Sequence, residues 1–129
     1  MTHCSATKDI SLRDVNTCVT PDKLYTATPT QRFMKSCMKN KVEWAIFSDN
    51  YGIWLSKERN SWYEKSPDSV TDKEFDRLLA NFNTRLKDFD EIWFYYNPGR
   101  FHGLYRKLMT NSKLKNKIRL FTHLNEIVK

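Results

Sequence analysis

The chain reads as short apolar runs separated by amphipathic stretches. Val42 to Phe47 (VEWAIF) is nearly continuous in apolar residues, the pattern of a strand buried on both faces. Ile92 to Tyr96 (IWFYY) and Ile118 to Phe121 repeat that pattern. Between them, Phe75, Leu78, Leu79, Phe82 and Leu86 recur at helical spacing. They follow Thr71-Asp72-Lys73-Glu74, a capping box in which a hydroxyl and a carboxylate satisfy the free amides of a helix start. Phe101, Leu104, Tyr105, Leu108 and Met109 mark another helical face. Thr28-Pro29 reads as a cap followed by proline at the first helical position. The helix it opens runs to about Asn40, with Phe33, Met34, Cys37 and Met38 inward. Thr122 caps a last helix carrying Leu124, Ile127 and Val128.

Met1 to Cys4 supplies the end of a first strand. Residues 5–28 are polar and read as a long loop with room for a short turn of helix. The mixed, aromatic stretch from Trp54 to Ser69 reads as irregular. Strands that alternate with helices predict an α/β fold, a small single domain over residues 1–129. Its sheet is mostly parallel, of about four strands, with helices on both faces. A length of 129 residues suits one core.

Composition adds a charge. Lys and Arg number 22 against 15 Asp and Glu, a formal net charge of +7, which attracts polyanions. The stretch from Arg100 to Arg119 holds Arg106, Lys107, Lys113, Lys115 and Lys117 and no acid, and it is the candidate nucleic-acid-binding surface. The three cysteines lack disulfide or zinc spacing. His3, His102 and His123 form no ligand motif, so neither a metal site nor a bound cofactor is expected. No signal segment or membrane span is apparent, and a reducing, cytoplasmic setting is the expectation. Walker A, dinucleotide-binding and nucleophile-elbow motifs are missing, which disfavours NTPase, Rossmann dehydrogenase and α/β-hydrolase chemistry.

In an open parallel sheet, ligands bind outside the carboxyl ends of the strands. That rule selects Cys4-Ser5 with Lys8, Ser48 to Gly52, Asn97 to Arg100 and Thr122-His123. Cys4 and Ser5 are candidate nucleophiles, and a nearby Lys8 would favour the Cys4 thiolate. Asp49 is the candidate acid or base, and Tyr51 the candidate stacking ring. Arg100, after a turn and before a helix, is placed for a phosphate. Each has a plainer role: Cys4 and Tyr51 as core, Lys8 and Arg100 as solvated charges, Asp49 as a turn residue.

Several short motifs add a family resemblance. Cys4-Ser5-Ala6-Thr7-Lys8, Leu24-Tyr25-Thr26, Phe47-Ser48-Asp49-Asn50-Tyr51-Gly52-Ile53 and His123-Leu124-Asn125 occur in that order. The chain thereby resembles a family of small, uncharacterised bacterial and archaeal α/β domains. Its opening is similar to the Pro-Cys-x-x-x-Lys-Pro-Tyr motif of archaeosine synthase, and more distantly to the YaaA-like proteins. Here His3 precedes the cysteine, Asp9 follows the lysine, and Asp49-Asn50 replaces Ala-Lys. The resemblance implies a nucleic-acid or nucleobase context. It adds Tyr25 and Thr26 to Ser48, Tyr51, Gly52, Asn97 and Arg100, the candidate substrate-binding residues at the strand ends. Three readings stand: a nucleobase-processing enzyme, a non-catalytic nucleic-acid-binding module, and a small-molecule nucleotide- or phosphate-binding protein.

Overall fold

A computed structural model describes residues 1–128. Five strands form one sheet: β1 (Thr2–His3), β2 (Ala45–Ser48), β3 (Gly52–Leu55), β4 (Ile92–Tyr95) and β5 (Ile118–Phe121). Their order is β3-β2-β1-β4-β5. β1 runs parallel to β2 and β4, and β5 runs parallel to β4. Only β3 is antiparallel, paired with β2 as a hairpin. The helices are α1 (Pro21–Leu24), α2 (Thr28–Lys39), α3 (Asp72–Leu86) and α4 (Gly103–Asn111).

The predicted strands form because both faces of the sheet are covered. All four residues of β2 are buried. On one face, Phe33 of α2 stacks on Tyr95 of β4 at 5.8 Å between ring centres. On the other, Phe47 of β2 meets Phe82 of α3 at 6.2 Å and Tyr105 of α4 at 5.9 Å. Phe75, Leu78, Phe82 and Leu86 all point inward from α3. Its capping box is complete, with the Glu74 amide donating to the Thr71 hydroxyl and the Thr71 amide to the Glu74 carboxylate.

Four expectations are corrected. Trp54 lies in a strand, not an irregular stretch, because Gly52–Leu55 folds back on β2. Its period-two signal is lost since Gly52, Ile53 and Trp54 are all buried. The last helix does not form. Leu124–Glu126 makes a single 3-10 turn, Thr122 caps nothing, and Val128 is exposed. α2 starts at Thr28 with Ala27 as an unbonded cap, and Met38 faces out at 47% exposure. The loop after β1 carries a 3-10 turn, Ile10–Leu12, as well as α1.

The hairpin is locally over-determined. Ser48 Oγ accepts from the amides of Asn50 and Tyr51, making the turn. Gly52 has a φ of 78°, the left-handed region that disfavours a side chain. The space beside it is filled by Asn81, whose Oδ1 accepts from the Ile53 amide at 2.8 Å. Glu58 accepts from the Leu55 amide at 2.8 Å, so side chains take up amides that β3 does not use in its ladder. A Cβ on Gly52 would collide with Asn81 Oδ1. Gly52→Ala is expected to destabilise the domain by ~2 kcal/mol, from backbone strain together with loss of the Asn81 contact. Urea denaturation measures it, and a change within 0.5 kcal/mol, the scatter of ordinary surface substitutions, would refute this account of the turn.

Candidate functional site

The chain steps from β1 to β2 on one side, then returns to place β4 on the other side of β1. In such sheets a reversal of this kind marks the place, here the carboxyl end of β1, where ligands bind. Cys4 follows β1 there, Asp49 follows β2, and Asn97 lies just beyond β4. The loop after β1 folds over the same end. Lys8 bridges Tyr25 in antiparallel fashion, and the Thr26 amide donates to the Thr7 carbonyl at 3.2 Å. The segments Cys4 to Lys8 and Leu24 to Thr26, separated in sequence, are therefore neighbours.

A buried polar cluster results. Cys4 Sγ lies 3.3 Å from the Tyr105 hydroxyl. The Tyr25 and Tyr63 hydroxyls are 2.5 Å apart. Ser48 and Tyr25 have no exposed surface, and Asp49 has 1%. Both Asp49 carboxylate oxygens are buried without a hydrogen-bond partner. Cys4 lies against that carboxylate without completing a bond to it. Lys8 and Lys65 are the cations that face it. Burial raises the Asp49 carboxyl above its ordinary range, against the pull of these neighbours. Burial, with the Asp49 charge second, pushes the Cys4 thiol up to about 11. Burial also raises Tyr25, Tyr63 and Tyr105, so these hydroxyls stay protonated.

This corrects the expected thiolate. Lys8 sits with its ammonium 4.5 Å from the Tyr63 ring centre and 5.7 Å from that of Trp62, and it acts on Asp49 instead. Asp49 does lie in the turn after β2, but its carboxylate makes no bond there, and Ser48 Oγ takes up the turn's amides. Ser5 Oγ accepts from the Thr7 amide, a local turn of its own. Thr26 is exposed. Tyr51 is half-buried and edge-on to Trp54 and Tyr63, with its hydroxyl donating to the Ser61 carbonyl at 3.0 Å. It is packed, not presented as a stacking face. Gly52 serves the hairpin.

Asn97 Oδ1 accepts from the Gly99 amide. Arg100 is exposed in a 3-10 turn (Pro98–Arg100), and the start of α4 is capped by His102 rather than left for a phosphate. His102 also contacts Asp68 at 2.7 Å, and His3 Nδ1 donates to the Cys4 carbonyl. Among the described residues, no three His, Cys, Asp or Glu side chains are grouped to hold a metal ion.

The basic stretch divides by role. Arg106 lies over Phe101 and Lys107 over Phe75. Lys117 donates to the carbonyls of Lys87 and Phe89 beyond the end of α3. Lys113 and Lys115 are exposed. Among the described residues, no helix is long and apolar enough to cross a membrane. A second concavity, about 1120 Å³, opens at the amino ends of the strands beside α2. It is lined by apolar residues such as Phe33, Cys37, Trp44 and Trp93, far from the cluster's chemistry. We place the candidate site at the polar cluster because groups able to do chemistry converge there.

Sequence reasoning missed Tyr63 and Trp62, which sit in a stretch without periodicity, and read Tyr105 as core alone. Comparison with family models, with curated proteins and with solved structures finds no match.

Two expectations follow from the geometry. The raised folded-state value of Asp49 makes the folded chain hold its proton longer than the unfolded chain does. Its contribution is absent below the ordinary carboxylate value of 3.8 and grows unfavourable as pH rises through the folded value. Asp49→Asn should therefore gain on the order of 1 kcal/mol over wild type at pH 8 and nearly nothing at pH 3. Urea melts of both proteins across pH test this, and a difference that does not vary with pH would contradict it. Lys117→Met, in turn, should cost about 1 kcal/mol by leaving two carbonyls at the end of α3 without their donor. Lys115→Met should cost less than half of that, as read by thermal melts.

Proposed function

We propose that this protein binds a nucleobase, free or carried in nucleic acid, at the carboxyl ends of its strands. The carrying observation is the Asp49 carboxyl, buried with two unused acceptors. A buried charge without partners is costly, and a matching pair of donors relieves it. An amidine edge, two N–H groups side by side as on a guanine-type base, offers such a pair in one plane. An anion would be repelled by Asp49, so the phosphate-binding reading suits this spot less well. Tyr25, Tyr63 and Tyr105 would supply ring and hydroxyl walls, and Cys4 a neutral thiol. In a reaction on the base, Asp49 would be the acid–base residue, since its raised value lies on the neutral side of the usual range.

Support for the nucleic-acid context is twofold. The motifs from Cys4 to Ile53 resemble those of a family of uncharacterised α/β domains, and the Cys4 to Lys8 opening is similar to that of a base-modifying enzyme. The net charge of +7 favours a polyanion, with Arg100, Arg106, Lys113 and Lys115 exposed. Arg100 follows β4 at the same end of the sheet as Asp49.

Thermal unfolding with nucleobases, nucleosides, nucleotides and short RNA or DNA tests the proposal. At a hundredfold excess over Kd, a ligand stabilises by about 2.7 kcal/mol. A guanine-type base should raise the melting temperature of wild type and fail with Asp49→Asn. Stabilisation by oligonucleotides alone, lost in salt and indifferent to Asp49→Asn, would replace this reading with a basic binding module. Absence of any base-dependent shift would overturn it.

A further inference from the structure

The Cys4–Asp49 cluster is closed. Asp49 is 1% exposed, so a ligand reaches its carboxylate only if something moves. The cover consists of two straps of irregular chain. One is the segment 5–27 after β1, with a 3-10 turn and the short α1. The other is the segment 56–66 after β3, which has no helix or strand of its own. They meet at their middles: Val19 and Asn60 exchange both backbone hydrogen bonds at 2.9 Å, and Arg13 approaches Glu64 at 3.6 Å.

The second strap is fastened at two points. Glu58 accepts from the Leu55 amide and from Arg85, the latter at 2.6 Å. Lys65 donates to Glu74 at 2.6 Å. Between these points, side chains hold it over the cluster. The Tyr63 hydroxyl meets that of Tyr25, Lys8 lies against Tyr63 and Trp62, and Tyr51 donates to the Ser61 carbonyl. Tyr63 is the one buried side chain in this stretch, while its neighbours are half-buried or exposed. Lifting it breaks a few polar contacts along with the Val19–Asn60 bridge and exposes one buried ring, far less than global unfolding exposes, the character of a local opening.

We infer that residues 59–64 form a lid, hinged at Glu58 and Lys65 and latched by Tyr63 and Lys8, whose lifting admits a ligand to the Cys4–Asp49 cluster. The inference rests on the preceding reading for what enters, but not for the motion. Lys8 belongs to both parts, since it holds the lid rings and faces Asp49.

Cys4 reports the motion without any ligand. It is buried beneath the strap, whereas Cys18 is exposed and serves as the control for reagent strength. Alkylation by iodoacetamide, followed at each cysteine by mass spectrometry, gives its rate against urea. Lid opening predicts a Cys4 rate that is flat at low urea, because little surface is exposed, and turns steep only where global unfolding takes over. Tyr63→Phe and Lys8→Met should each raise the flat rate about fivefold, the effect of one modest polar contact. Cys18 should be unaffected. A Cys4 rate that follows global unfolding at every urea concentration overturns the lid. A flat rate that neither variant moves overturns the latch and with it the inference. A faster Cys4 in the variants, with no base bound in the thermal screen, keeps the lid and removes the nucleobase reading instead.

Discussion

Two residues hold the middle of the sheet. β1 is only Thr2–His3, yet it separates β2 from β4 and pairs with both. Its hold extends by single bonds to either side. The Cys4 amide donates to the Phe47 carbonyl, the Tyr95 amide to the Met1 carbonyl, and Thr2 Oγ1 to the Tyr95 carbonyl, each at 2.8 Å. A strand so short contributes little burial of its own. It is stable because longer neighbours and helices on both faces enclose it. The brevity has a chemical consequence. The chain leaves the sheet at Cys4 and must pass directly over the carboxyl ends, so the residues that follow become a wall of the site.

That wall encloses an inconsistency. Elsewhere, buried polar groups in the described chain are served: Ser48 by two amides, Ser112 by Asn83, Tyr25 by Tyr63. Among the described residues, the Asp49 oxygens are the buried side-chain atoms left without partners. Net stability of a domain is small, so a group of this kind is a substantial burden. The surrounding hydroxyls do not relieve it, because they are committed to one another and to Cys4. Local violations of an otherwise consistent design concentrate at functional sites. This is why Asp49, rather than the more reactive-looking Cys4, anchors the functional reading.

Much of the fold was legible, for reasons that differ between elements. α3 was readable because Thr71 and Glu74 state its start and five apolar positions state its face. β2, β4 and β5 were readable as apolar runs of strand length. β3 was not, since Gly52 to Trp54 is buried without alternation and its pairing depends on a turn made by Ser48. The last helix was misread because Thr122 and three apolar positions satisfy a pattern over too few residues to repay helix nucleation. In the site, strand-end positions found Cys4, Ser48 and Asp49. They could not reveal that Lys8 would turn to rings rather than to Cys4, or that Tyr63 would cross from an aperiodic stretch. Those are tertiary facts, set by where the straps close.

The basic stretch shows the same limit on a larger scale. Along the sequence, Arg100 to Arg119 holds seven basic residues and no acid. In space it is scattered. Arg106 and Lys107 lie on α4 against Phe101 and Phe75, and Lys117 is spent on carbonyls beyond α3. Arg119 pairs with Trp93 across β4 and β5, on the side of the sheet where Phe33 of α2 packs, and reaches Glu91 at 3.5 Å. A run dispersed over several faces does not make a groove that tracks a phosphate backbone. Its effect is a general attraction, long-ranged and weakened by salt. Such attraction can bring a polyanion near but cannot choose among sequences or bases. On the reading proposed above, discrimination would come from the enclosed site, where one carboxylate and a few fixed hydroxyls are shielded from the screening that weakens the surface charges.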